Sequence, residues 1–267
     1  MRLEVLVSCM NQKDCSLVED SAITTDVLLI NQCNRDDMQM QLKGNQTIRM
    51  ISTTQRGLSK SRNMAIENAT GDICLLCDDD ERFIEGYSDK IMEAFEKYSE
   101  ADVIAFQVIN HKCSLKNKEQ KLGYFKCLKI SSCQIAFRVE SIREKNILFN
   151  VFMGAGTGNG AGEENKFLID CYKSGLRLYY IPIEIVELKQ ETSTWFHGYD
   201  ENFFYLRGVA TRYMLGLFYS VIYAFYYSVR KRKLFAKNCS IKKALFWMLI
   251  GIKNNDIKKQ VLKQEKI

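Results

Sequence analysis

Short apolar runs recur along the first half of the chain, and they restrict the fold more than any other feature. Leu3–Val7, Val27–Ile30, Ile48–Ser52, Ile73–Cys77 and Val103–Ile109 each have the length of a buried strand. The stretches between them are polar or helix-patterned. Gly57–Ala69 places Leu58, Met64, Ala65 and Ala69 on one side, with Ser59 or Ser61 available as a cap. Ser88–Tyr98 repeats Ile91, Phe95 and Tyr98 at helical spacing. Strands alternating with helices predict βαβ units and an α/β fold with a mixed, mostly parallel sheet flanked by helices. Cys133–Phe137 supplies one more strand; His111–Lys129 shows no clear pattern.

The run Ile73–Cys77 ends in Asp78-Asp79-Asp80. In open α/β sheets ligands bind beyond the carboxyl ends of the strands, so these carboxylates are expected at a binding crevice. Side chains two apart on extended backbone project the same way, which lets Asp78 and Asp80 share a Mg²⁺ or Mn²⁺ ion completed by substrate phosphates. Clustered aspartates alone also describe a solvated turn, and the surrounding residues must decide.

Ten cysteines lie at irregular spacings, and Met1–Val7 begins as a strand rather than as an apolar leader, so reduced thiols in the cytoplasm are expected. Cys74 and Cys77 form the spacing of a metal or redox pair, but no second such pair exists and both fall in the proposed strand, which favours burial. The net charge of +6 is unevenly distributed. Residues 230–267 carry 12 Lys/Arg against 2 Asp/Glu, and residues 1–229 are net acidic. The alternating glycines from Gly154 to Gly162 sit past mid-chain without a clear preceding strand, which disfavours a dinucleotide loop. A loop that delivers Glu163 and Glu164 to a cleft fits better.

The segment Gly57-Leu58-Ser59-Lys60-Ser61-Arg62-Asn63, then the strand and Asp78-Asp79-Asp80, then Gly162-Glu163-Glu164-Asn165, closely resembles the family 2 glycosyltransferases over residues 3–200. The resemblance implies a GT-A, Rossmann-like nucleotide-sugar fold over 1–200, with 201–267 as a basic helical extension. It implies an inverting transferase that moves a sugar from a nucleotide-diphosphate sugar, UDP-linked by expectation, to a glycan or lipid-linked hydroxyl in bacterial surface polysaccharide synthesis. By that resemblance Ser8, Cys9 and Met10 line the nucleotide through their backbone, and Arg62 lies near the nucleotide and phosphates. Asp78 and Asp80 hold Mn²⁺ or Mg²⁺ and the donor diphosphate; Asp79 with Asp80 is the alternative pairing. Glu164 takes the place of the catalytic base, with Glu163 as its rival.

The chain departs from the family at several positions. Asn31-Gln32-Cys33-Asn34 replaces the usual acidic pair after the second strand, so the amide of Asn31 is the expected contact to the base. His197 is the only late histidine and the expected additional metal or diphosphate contact. Trp195 is read as a packing residue. Tyr213–Val229 is uncharged, aromatic-rich and followed by Arg230-Lys231-Arg232-Lys233; a second apolar stretch, Ala244–Ile252, is bordered by lysines. Such segments suit the surface of an anionic membrane, and a peripheral position on its inner face is expected; packing of 213–229 on the core is the alternative. The aromatics are not interleaved with the charges, which argues against nucleic acid. A nucleotidyltransferase would need a glycine-rich loop after the first strand, and Ser8–Lys13 has none. A non-catalytic, membrane-associated protein that binds sugar nucleotides is the other alternative, and the intact acidic motifs oppose it.

Overall fold

The computed structural model describes residues 1–109, 115–157, 162–189 and 198–254. In chain order the strands are β1 (Leu3–Met10), β2 (Asp26–Gln32), β3 (Asp37–Lys43), β4 (Gln46–Thr53), β5 (Ile73–Asp78), β6 (Glu81–Phe83), β7 (Val103–Val108), β8 (Gln120–Lys121), β9 (Ile135–Arg138) and β10 (Leu178–Leu188). The helices are α1 (Leu17–Asp20), α2 (Leu58–Asn68), α3 (Tyr87–Lys97), α4 (Val139–Glu144), α5 (Glu163–Lys173), α6 (Glu201–Arg230), α7 (Arg232–Phe235) and α8 (Ile241–Asn254). The chain divides into two units: residues 1–149 with 167–191, and residues 150–166 with 192–267. These units break the chain after residue 191, and 150–166 groups with the C-terminal helices.

The first unit holds one mixed sheet in the order β3-β4-β2-β1-β5-β9-β7-β10-β6, with β8 also on β10. Parallel pairing joins β4, β2, β1 and β5; the apolar runs of β2, β1 and β5 are buried on both sides of the sheet, while burial alternates along β4 through Met50. The remainder is less regular. β9 inserts antiparallel between β5 and β7, and β10 runs parallel to β7 but antiparallel to β6. β3 forms a hairpin with β4 across Gly44-Asn45, and Gly44 has φ +61°, the positive value that a type II′ turn needs at its first central position. A buried ion pair braces the start of β1: Glu4, 1% exposed, accepts from Arg49 at 2.6 Å and from the backbone N–H of Thr70 and Gly71.

Neither Ser59 nor Ser61 caps α2. Gly57 stands at the cap with its N–H bonded to the Gln32 side chain, and Ser61 instead donates to Ser8 at 2.9 Å. Cys74 and Cys77 lie three apart on β5, so their side chains leave opposite faces of the strand and cannot share a metal. Both are buried as free thiols.

In the second unit α6 and α8 cross with their backbones touching. A Cβ on Gly208 would lie 2.1 Å from the Met248 carbonyl oxygen, and one on Gly251 would lie 2.1 Å from that of Tyr205. Tyr213–Val229 falls within α6, which breaks its helical geometry at Gly216. One side of this run packs: Ala224 and Tyr227 join Phe204, Phe235 and Met248 in a small core. The other side is exposed, with Phe218, Ile222, Phe225 and Val229 at helical spacing. No helix among the described residues is long and apolar enough to cross a membrane.

Candidate functional site

The strands β1 and β5 are in register so that Ser8 lies beside Asp78 at their carboxyl ends. β5 ends there, and Asp79-Asp80 forms the tight turn into β6. The parallel pairing dictated by the apolar runs thus brings the end of the first strand to the acidic turn. The far side of the turn is fixed by β10, where the Lys189 N–H bonds the Asp80 carbonyl at 2.9 Å.

Arg62, about one turn after Ser59 on α2, is buried at 2% exposure. Its Nη2 donates to both carboxylate oxygens of Asp78, at 2.9 and 3.1 Å, and its guanidinium lies over the Phe149 ring at 5.4 Å. Ser132 adds a third hydrogen bond to Asp78 at 3.1 Å. Asp78 is therefore held by two protein groups before any ligand arrives. Asp79 and Asp80 are less encumbered. Loss of hydration, followed by repulsion from neighbouring carboxylates, raises both above the usual carboxylate range, and Lys189 partly offsets this.

Behind the turn lies Glu81, 1% exposed, with Oε2 buried and unpaired. Burial and then the charge of Asp78 push its carboxyl well above the ordinary value. Ser132, Phe149, Lys189 and Glu81 were not anticipated. Ser132 and Phe149 carry no sequence pattern that announces them; only the adjacency of Glu81 to the aspartates gave a signal.

The other expected nucleotide contacts are placed as follows. Ser8 and Cys9 are buried and Met10 is exposed at the end of β1. The Cys9 thiol bonds the Ile30 carbonyl, and its side chain is buried. Asn31, the expected contact to the base, lies at the end of β2. Its amide accepts from Gln12 N–H at 2.9 Å and donates to the Gln12 carbonyl and Ser52. Asn31 is fully buried, and these bonds tie it to the loop after β1.

Glu163 and Glu164 open α5 in the second unit; Glu163 is buried and Glu164 half-buried. His111, Trp195, His197 and Gly158–Ala161 lie outside the described residues. Among those described, no three His, Cys, Asp or Glu side chains form a metal cage. The hard oxygens of the acidic turn nonetheless fit Mg²⁺ or Mn²⁺, because Mg²⁺ takes only one or two carboxylates and completes its shell with phosphate and water. Burial is the larger cause of the raised Asp79 and Asp80 carboxyls, and the repulsion from neighbouring aspartates that adds to it is what a divalent cation relieves.

A family model described as "Glycosyl transferase family 2" matches residues 3–160. No curated protein sequence matches significantly. Among solved structures, that of S. aureus TarS is similar with TM-score 0.56 at 12% identity, covering 91% of this chain and 46% of that one. This chain thus spans about half the length of that protein. S. aureus TarS 1-349 in complex with UDP-GlcNAc gives TM-score 0.61 at 17% identity, covering 92% and 78%. The same fragment with UDP gives 0.57 at 14%, covering 91% and 77%.

Proposed function

The chain belongs to glycosyl transferase family 2, a family of glycosyltransferases with the fold seen here, and from that premise we propose that it transfers a sugar from a UDP-sugar to a hydroxyl of a glycan or lipid-linked acceptor in surface polysaccharide synthesis. The observation that carries this reading is the acidic turn at the carboxyl end of β5, beside Ser8 and with Arg62 locked behind it. The UDP-GlcNAc and UDP complexes of TarS support a uridine donor.

In this reading Asp80 holds Mn²⁺ or Mg²⁺, with Asp79 as the less encumbered partner and Asp78 kept in place by Arg62 and Ser132. When bound, the ion supplies positive charge to the departing diphosphate. The backbone at Ser8, Cys9 and Met10 lines the nucleotide. Glu164 accepts the proton of the acceptor hydroxyl as its oxygen attacks the anomeric carbon, and Glu163 is the second candidate. His197 is a further contact to metal or diphosphate.

The exposed face of α6 supports a peripheral position on an anionic membrane, where a lipid-linked acceptor would be found. Phe218, Ile222, Phe225 and Val229 form an apolar stripe beside Arg230-Lys231-Arg232-Lys233, and no Asp or Glu occurs between Asn202 and Asn255.

The test is hydrolysis of a panel of nucleotide sugars with and without Mn²⁺. Release of UDP that depends on Mn²⁺ and is lost in Asp80→Asn supports the reading; no hydrolysis of any donor sinks it and favours a non-catalytic binding protein. Glu164→Gln should abolish transfer while the donor still binds.

A further inference from the structure

β3 forms one edge of the sheet, paired with β4 on one side and, among the described residues, with no strand on the other. All seven of its residues are exposed, including Met38, Met40 and Leu42 at 61, 62 and 72%. Soluble proteins blunt such edges with central charges, prolines or bulges. The interior of β3, Met38-Gln39-Met40-Gln41-Leu42, has none of these.

Its sequence is also complementary to itself when reversed. In an antiparallel pair centred on Met40, Asp37 of one copy stands opposite Lys43 of the other at both ends. Met38 meets Leu42, Gln39 meets Gln41, and Met40 meets Met40. Side chains alternate along a strand, so Met38, Met40 and Leu42 share one face while Asp37, Gln39, Gln41 and Lys43 share the other. The hydrogen bond from Gln39 to Asp37 at 3.0 Å shows the polar set together. A slip by one residue would set apolar against polar side chains, and a slip by two would shorten the ladder and separate the charges.

From this we propose that two copies of the chain pair antiparallel along β3, about a twofold axis at Met40, into one sheet continuous across the dimer. The open edge supplies unpaired backbone donors and acceptors, the Met/Leu face buries against itself, and two Asp37–Lys43 pairs fix direction and register. Lys43 already holds Glu19 at 2.7 Å, but its ammonium has three donors and can serve both carboxylates. The self-complementarity selects a second copy over an unrelated strand. The inference is independent of the sugar-transfer reading.

The full chain is examined by sedimentation over a concentration series up to about 50 μM, which resolves dissociation constants from about 1 μM upward. Asp37→Lys places lysine opposite lysine at both ends, and Lys43→Glu places acid opposite acid. Both sites are exposed, so each variant is expected to keep the wild-type far-UV spectrum and to associate at least about tenfold more weakly. Mixing the two variants restores opposite charges at both ends and should give a heterodimer of wild-type affinity. A wild-type monomer at this concentration, variants that dimerise unchanged, or a mixture that stays monomeric would each overturn the proposal. An edge that bound another protein's strand would give the first of these.

Discussion

Replacing Arg62 with methionine isolates the contact that holds the acidic turn. Removing one partner of a buried ion pair costs about 3–5 kcal/mol, because the survivor keeps its charge without compensation. Asp78 is 28% exposed and retains Ser132, so water and one hydroxyl recover part of this, and a net loss of about 2–3 kcal/mol follows. Methionine keeps an apolar contact with Phe149, which limits the packing loss. In a unit of this size the loss lowers the melting temperature by roughly 5–10 °C. The assay is chemical denaturation of Arg62→Met, Asp78→Asn and the double variant. Asp78→Asn removes the charge that Arg62 neutralises, so the double variant should fall short of the summed losses by about 1–2 kcal/mol. Strict additivity, or a loss below about 1 kcal/mol for Arg62→Met, would refute the claim that the pair braces the turn.

Gly208→Ala drives a methyl group into the Met248 carbonyl and should destabilise the α6–α8 pair by about 3 kcal/mol or more, whereas Gly123→Ala, where nothing crowds the new Cβ, should change the denaturation midpoint little. Cys9 and Cys127 are pushed up by burial to about 12, so at pH 8 in the folded protein they should resist thiol reagents until denaturant is added. Because the unfolded thiols titrate near 9.0, the unfolded chain releases protons first; the stabilisation they give is complete below that pH and declines between pH 9.0 and about 12, which alkaline denaturation curves will show. Phe218→Glu with Phe225→Glu should abolish flotation of the protein with phosphatidylglycerol vesicles; retention of the wild-type binding level would rule out α6 as the docking face.

The parallel core was legible because buried strands announce themselves as uncharged runs: β1, β2, β5 and β7 fall within a few residues of their apolar segments. The acidic turn and Arg62 could be marked from the sequence, but not their pairing, which depends on how α2 packs across the sheet. β3 escaped notice because Asp37–Lys43 looks polar in aggregate, although Met38, Met40 and Leu42 alternate with the period of a strand. The bonds of Asn31 were not legible for a physical reason. An amide can bind a base edge or staple a loop equally well, and only the position of Gln12 shows which it does.

The bond from Lys189 to the Asp80 carbonyl, together with the pairing of Leu188 to Glu81, also sets a timetable. A chain emerging from the ribosome presents β1, β2 and β5 well before β10. The acidic turn acquires its second anchor only when β10 has been made, more than a hundred residues after Asp80. Contacts of such sequence separation form late. The acidic turn therefore lacks its second anchor while more than a hundred further residues are added. A fragment ending before β10 is expected to be folded in part yet unable to hold the turn in shape.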